Sequence, residues 1–178
     1  IPQPGTNRWS GVALPWMAFG YGLSVTPLQT LTLYNAVAND GVMIKPIFVS
    51  EIKEWNKTIK KFDTQVINPK ICSQETLDKV HAVLENVVKK GTGSKLYSKD
   101  FSMAGKTGTA QVNYKDKSQL YYASSFVGYF PADEPKYSCI VVVHKPNVAA
   151  GYYGADVAGP VFKRIAQKIF TDSPSTNH

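Results

Sequence analysis

Helical and strand-like periods of hydrophobic positions succeed one another along this chain. Leu28, Leu31, Tyr34, Val37 and Ala38 recur at helical spacing. Thr26-Pro27-Leu28-Gln29 opens that run with a capping hydroxyl, a proline at the first helical position and a glutamine three residues after the cap. Asn39-Asp40-Gly41 closes it, the glycine suiting a left-handed cap. The pattern predicts a helix over 26–39. A second stripe, Leu77, Val80, Leu84, Val87 and Val88, follows Ser73 and stops at Gly91, with Lys89 and Lys90 where the helix dipole favours cations. It predicts a helix over 74–90. Val161, Phe162, Ile165, Ala166, Ile169 and Phe170 predict a last helix over 157–171, with Pro160 tolerated only near its first turn.

Elsewhere the period shortens to that of strands. Ile47, Phe48, Val49 and Ile52, then Ile59, Phe62, Val66 and Ile67, are interleaved with charges. They predict a β-hairpin over 43–67 that turns at Asn56-Lys57 and keeps one face wet. Further strands are predicted over 101–112, 123–130 and 137–144. Cys139 to Val143 is an unbroken apolar run, as expected of a strand covered on both faces. The polar stretch 113–119 reads as a loop, as does Gly151-Tyr152-Tyr153-Gly154, and Asp133-Glu134-Pro135 as a turn. Residues 1–25, rich in Gly, Pro and Trp, read as an irregular surface segment, and 173–178 as a frayed tail. This order predicts an α+β fold over 1–178, an antiparallel sheet with helices packed against it.

Composition removes several kinds of chemistry. The formal net charge is +7, but the lysines are scattered and form no basic stripe interleaved with aromatics, so no nucleic-acid partner is expected. Cys72 and Cys139 lack the spacing of a zinc site or a redox pair, and Cys139 reads as a core residue. His81, His144 and His178 show no ligand spacing, so no metal is expected. His81 flanks the stripe of the second helix and reads as a packed edge histidine. No apolar run approaches the length of a membrane span and no signal peptide is recognisable. Ile1-Pro2-Gln3-Pro4-Gly5 reads like the interior of a longer chain, so a mature fragment is expected.

The densest chemistry lies in Ala104-Gly105-Lys106-Thr107-Gly108-Thr109-Ala110. One cation, two hydroxyls and two glycines on an exposed strand suit an anionic, peptide-like ligand. The lysine supplies charge, the hydroxyls bond a carboxylate, and the strand edge pairs with the ligand backbone. Gly91-Thr92-Gly93-Ser94-Lys95 resembles a phosphate-binding loop only in composition. Ser94 precedes the lysine, and a helix, not a strand, precedes the glycines.

Lys106-Thr107-Gly108 resembles the third motif of the active-site serine penicillin-recognising enzymes, whose other motifs are S-x-x-K and S-x-N. Tyr21-Gly22-Leu23-Ser24-Val25-Thr26-Pro27-Leu28-Gln29 with Asn39-Asp40-Gly41 resembles the segment after S-x-N in class B penicillin-binding proteins. Gly91-Thr92-Gly93, Phe126-Val127-Gly128-Tyr129-Phe130-Pro131 and Gly159-Pro160-Val161-Phe162 are similar to that family too, so the resemblance runs from about Trp9 to Phe170. It implies a partial transpeptidase fold lacking its N-terminal strands and helices. It also implies a peptidoglycan D,D-transpeptidase of division or elongation type. A serine attacks the D-Ala-D-Ala end of a stem peptide, and an amine of a neighbouring peptide resolves the acyl-enzyme; β-lactams mimic that end. Lys106 and Thr109 are then catalytic, Thr109 through its N–H in the oxyanion hole, and Lys106, Thr107, Gly108 and Thr109 bind substrate. No cofactor is implied.

The resemblance also implies what this chain is expected to lack. Ser50-Glu51-Ile52-Lys53 fits S-x-x-K literally but falls in the hairpin, and Ser175-Thr176-Asn177 fits S-x-N but follows Lys106. Both are set aside, and the nucleophile serine is expected upstream of Ile1, so the chain alone is expected to be inactive. The strand over 137–144 is then expected to present an open edge, which leaves room for dimerisation of the fragment. Implied partners are stem peptides, β-lactams and divisome or elongasome proteins. The implied location is the periplasmic or extracytoplasmic face of the bacterial inner membrane, with the anchor upstream. The alternatives are a DD-carboxypeptidase or β-lactamase-type hydrolase, or a non-catalytic domain that binds β-lactams or cell-wall peptides.

Overall fold

Helix limits in the computed structural model, which describes residues 3–7, 9–113, 120–149 and 151–172, fall where side chains replace missing backbone partners. A short helix, α1 (Ala13–Ala18), interrupts the stretch expected to be irregular; it buries no residue. Trp16 meets Tyr21 edge-on at 5.8 Å, a contact local enough to hold one turn of helix without a core. Helix α2 (Pro27–Ala38) opens on a reciprocal capping box. The Gln29 N–H donates to Thr26 Oγ1 at 3.2 Å, and the Thr26 N–H donates to Gln29 Oε1 at 2.8 Å. Gly41, at φ +81°, closes the helix by donating to the Ala36 carbonyl at 2.8 Å.

The predicted hairpin is two nested antiparallel pairs. Strand β1 (Met43–Ile44) pairs with β4 (Val66–Asn68), and between them β2 (Glu51–Glu54) pairs with β3 (Lys57–Lys61). The turn is Trp55-Asn56, one residue earlier than expected, with Trp55 at φ +52° between the paired Glu54 and Lys57. Both faces of β2 and β3 are exposed, not one. Two short strands cannot cover their own apolar side chains, and among the described residues none buries them; Trp55 is 95% exposed.

Helix α3 (Gln74–Lys89) is capped by Ser73, whose hydroxyl accepts from the Thr76 N–H at 3.2 Å. A 3₁₀ turn over Ser94–Leu96 leads into β5 (Ala104–Val112). The strand expected from 101 thus begins at Ala104. Before it, Ser102 leaves the ladder pattern, bonding the Asp133 carboxylate and accepting from the Ala132 N–H at 2.8 Å. Strands β6 (Tyr121–Phe130) and β7 (Tyr137–His144) complete an antiparallel sheet of order β5-β6-β7. A short helix, α4 (Gly154–Val157), precedes α5 (Gly159–Asp172). Most of the loop expected over 113–119, and the tail 173–178, lie outside the described residues.

Alternation along the strands assigns each residue to one face of this sheet. Ala104 and Tyr129 face α2 and α3, where they pack with Val37, Leu77 and Leu84. Phe126, Phe130, Cys139 and Val141 face α5, where they pack with Phe162 and Ala166. The sheet is therefore a middle layer between helices. Burial pushes the Cys139 thiol up, in keeping with its partly buried position against the core and not within it. The apolar faces of the outer helices are buried only in part. In α2 the last turns reach the core while Leu28 stays exposed, and in α5 Val161 and Ile165 stay exposed. Strand β7 is half-buried, not covered on both faces, and one of its edges has no strand partner among the described residues.

Phe162 is fully buried, edge-on to Phe126 at 4.8 Å and to Phe130 at 5.7 Å. Phe162→Ala is expected to lower stability by about 3–5 kcal/mol in urea unfolding, whereas Phe48→Ala stays within about 0.5 kcal/mol, because Phe48 is 86% exposed. On the other face, burial, aided by the Glu85 carboxylate, raises the Tyr129 phenol well above its ordinary value, and its hydroxyl bonds His81 Nδ1 at 2.7 Å. An unfolded tyrosine ionises near about pH 10 while this one stays neutral, so its contribution is complete below about pH 10 and is lost as pH rises past it. Tyr129→Phe is expected to flatten the alkaline fall in the unfolding midpoint.

Candidate active site

Strand β5 carries the candidate side chains on an outer strand with one edge lacking a strand partner among the described residues. Its other edge pairs with β6 residue for residue, from Ala104↔Tyr129 to Val112↔Tyr121. The first two residues are buried, and exposure begins at Lys106. Ala104 and Gly105 thus anchor the strand in the core while Lys106, Thr107, Gly108 and Thr109 emerge at its rim. A Cβ at Gly105 would lie 2.5 Å from the Val127 carbonyl and 2.8 Å from the Phe126 ring. Only glycine lets β5 lie this flat on β6.

The polar groups of the strand are already organised. Lys106 Nζ donates to the Thr107 carbonyl at 2.9 Å and to Thr107 Oγ1 at 3.3 Å. Thr107 Oγ1 lies 3.1 Å from Thr92 Oγ1. Thr109 Oγ1 accepts from the Gly154 N–H at 3.1 Å, which ties the strand to the start of α4. The glycine opening α4 is sterically required, since a Cβ there would strike the Ser125 carbonyl and come within 2.6 Å of the Gly108 carbonyl. A Cβ at Gly108 would strike Ser125 Oγ. The space left by Gly108 is therefore taken up by the chain's own β6, in addition to whatever approaches the open edge.

An aromatic ladder borders the far end of the strand. Tyr122 stacks on Tyr152 at 4.2 Å, and Tyr152 meets Tyr153 at 4.4 Å. Gln111 Nε2 donates to the Tyr122 hydroxyl at 3.2 Å, and Ser124 Oγ donates to the Tyr152 carbonyl. The hydroxyl bond to Tyr153, with its charge and that of Tyr122 adding, holds the Tyr152 phenol above its ordinary value.

The structure separates the motifs that only look similar. Lys95, in the 3₁₀ turn, pairs with Asp156 of α4 at 2.7 Å, and no strand precedes its glycines. Ser50 lies at the base of the exposed hairpin, where its carbonyl accepts from the Phe62 N–H, and Lys53 pairs with Glu51 at 2.7 Å. Ser175 lies outside the described residues. Thr92, Ser125 and Gly154 join Lys106, Thr107, Gly108 and Thr109 although sequence reading gave them no role at the site. The glycines around Thr92 and the Gly151-Tyr152-Tyr153-Gly154 loop were the signals present. Among the described residues no three His, Cys, Asp or Glu side chains lie together as a metal site, and no helix is long and apolar enough to cross a membrane.

Residues 2–167 match the family model for the penicillin binding protein transpeptidase domain. The chain belongs to this family. It is 35% identical over 168 residues to the peptidoglycan D,D-transpeptidase FtsI of Buchnera aphidicola, covering 92% of this chain and 28% of that protein. It is 36% identical over 155 residues to the stage V sporulation protein D of Bacillus subtilis, covering 83% and 23%. Among solved structures it is similar to penicillin-binding protein 3 of Mycobacterium tuberculosis, with a TM-score of 0.82 and 28% identity over 98% of this chain and 41% of that one. Structures of the same mycobacterial protein also exist in complex with aztreonam and ampicillin. The relatives are class B penicillin-binding proteins, and the α+β fold is the one their transpeptidase domains adopt. The chain spans about a quarter of the length of the curated relatives it matches.

The two glycine contacts differ in what must move. Gly108→Ala meets a side-chain hydroxyl that Ser125→Ala removes, so the double variant is expected to regain most of the lost thermal stability. Gly154→Ala meets backbone of both β5 and β6, and is expected to cost about 1–3 kcal/mol with no relief from Ser125→Ala.

Proposed function

We propose that this chain forms one wall of the active site of a peptidoglycan D,D-transpeptidase. The observation that carries the reading is the outer strand β5, which gathers Lys106, Thr107 and Thr109 at an open edge within a chain matched to the transpeptidase family over 2–167. An extended peptide ending in D-Ala-D-Ala adds to that edge as a further strand. The Thr107 and Thr109 hydroxyls bond its terminal carboxylate, and Lys106 supplies positive potential there. The Thr109 N–H is one of two oxyanion-hole donors, stabilising charge that develops on the attacked carbonyl oxygen. The open edge beside Gly108 admits the substrate backbone.

The nucleophile is a serine outside this chain. Its hydroxyl oxygen adds to the penultimate D-alanine carbonyl, the terminal D-alanine leaves with the transferred proton, and an amine of a second stem peptide takes the acyl group. A β-lactam acylates the same serine because its ring carbonyl and carboxylate occupy the places of the peptide's. The names of the relatives support peptidoglycan cross-linking over simple hydrolysis. The same reading puts the full-length protein at the extracytoplasmic face of a bacterial membrane, among division or elongation proteins. It leaves the open edge of β7 free for dimerisation when the chain is alone.

A fluorescent penicillin tests the assignment. Full-length protein is expected to take up a label that survives denaturation, and Lys106→Ala to cut labelling at least about a hundredfold. The 178-residue chain is expected to take up none. A stable label on the isolated chain would show that it contains its own nucleophile and would overturn this reading.

A further inference from the structure

The loop after α3 reaches the candidate ligand-binding strand through one side chain. Thr92 Oγ1 lies 3.1 Å from Thr107 Oγ1, and Lys106 Nζ donates to that same Thr107 oxygen at 3.3 Å. A threonine hydroxyl has two acceptor positions and one proton, and an ammonium group only donates. If Thr92 donates, both lone pairs of Thr107 are filled and its own proton is left to point outward. If Thr107 donates, the Thr92 proton is left instead. In either arrangement the pair keeps one O–H for an incoming acceptor. Because Lys106 stands beside it, that acceptor is favoured when negatively charged.

The position of Thr92 is fixed by its neighbours and not by burial, since it is exposed. The Gly91 N–H donates to the Asn86 carbonyl at 2.9 Å, and the Gly93 N–H to the Val87 carbonyl at 2.9 Å. The Ser94 N–H returns to the Gly91 carbonyl at 3.1 Å and the Leu96 N–H to the Gly93 carbonyl at 2.8 Å. A Cβ at Gly91 would lie 2.8 Å from Val87 Cα, and one at Gly93 3.2 Å from the Val87 carbonyl. The backbone on both sides of Thr92 is thus held against the last turn of α3. A rigid loop offers one hydroxyl to one partner, and the entropy of aiming it is spent in folding.

We propose that Thr92 is a positioning residue for carboxylate recognition, acting through Thr107 to select ligands that end in a free carboxylate. The proposal rests on the reading of β5 as the carboxylate-binding wall. Its specific content is that selectivity for the anionic end depends on a hydroxyl outside that strand.

The test uses full-length protein and two probes, benzylpenicillin and its methyl ester, each read as a second-order acylation rate. Thr92→Val and Thr92→Ala are each expected to slow acylation by the acid about tenfold and to leave the ester within about twofold. Thr92→Ser, which keeps the hydroxyl, is expected to retain the acid-to-ester ratio of the unaltered protein. Equal losses on both probes, or an unchanged ratio in either hydroxyl-free variant, would overturn the proposal. Thr107→Val separates the two levels of inference. If it collapses the ratio while the Thr92 variants do not, only the role of Thr92 fails. If it too keeps the ratio, carboxylate binding by β5 fails, and the role of Thr92 with it.

Discussion

Everything at the candidate site depends on how closely β5 lies against β6. The two strands pair through nine positions, and Gly105 stands opposite Gly128 near the buried end. A Cβ at Gly128 would strike the Ala104 carbonyl and come within 2.8 Å of Gly105 Cα. The glycine pair removes the side chains that would hold the strands apart, and the Phe126 ring closes over the gap. Phe126 in turn packs on Phe162 of α5. A continuous line of contacts therefore runs from the exposed lysine and threonines, through glycine and an aromatic ring, into the best-buried part of the core. Orientation at the rim is set by packing a few residues away, where deformation is costly.

Two further elements bear on the strand from outside the sheet, and each does so through a glycine. Gly154 brings the start of α4 against Gly108 and lets its N–H reach Thr109 Oγ1. Gly91 and Gly93 bring the end of α3 close enough for Thr92 to reach Thr107. The two threonine hydroxyls, two residues apart and so on one face of the sheet, are each held by a different helix terminus. Such support bears on the proposed function, in which the strand recognises a small anion on an extended peptide. A misdirected hydroxyl bond weakens steeply once its angle falls below about 120°, and preorganised dipoles contribute most when nothing has to rotate during reaction.

The chain's outer surfaces are less finished than its centre. The β2–β3 hairpin exposes Ile52, Trp55 and Ile59, the first turn of α2 exposes Leu28, and α5 exposes Val161 and Ile165. Strand β7 carries an apolar run at an edge without a strand partner among the described residues. These features accord with a chain spanning 41% of a similar solved structure. The chain likewise covers 50% of the solved transpeptidase domain of Burkholderia pseudomallei penicillin-binding protein 3.

Local chemistry was readable from the residues alone. The capping box at Thr26 and Gln29, the Ser73 cap and the Gly41 stop all involve partners within a few residues, so the sequence by itself determined where α2 begins and ends and where α3 begins. It also determined the period of each strand and the clustering of Lys106, Thr107, Gly108 and Thr109. Partners distant in sequence were not readable in this way. The apolar stripes of α2 and α5 have the same character along their length, yet only part of each meets the sheet. The hairpin's alternation implied a dry face that no neighbour among the described residues supplies. Thr92 lies 15 residues from Thr107, and Gly154 lies 45 from Thr109. Periodicity fixes the side of an element on which a residue stands, but not what lies opposite. Only the tertiary structure decided that, because the approach of α3, α4 and β6 to one strand is governed by packing volume around glycines, which leaves no periodic trace in the chain.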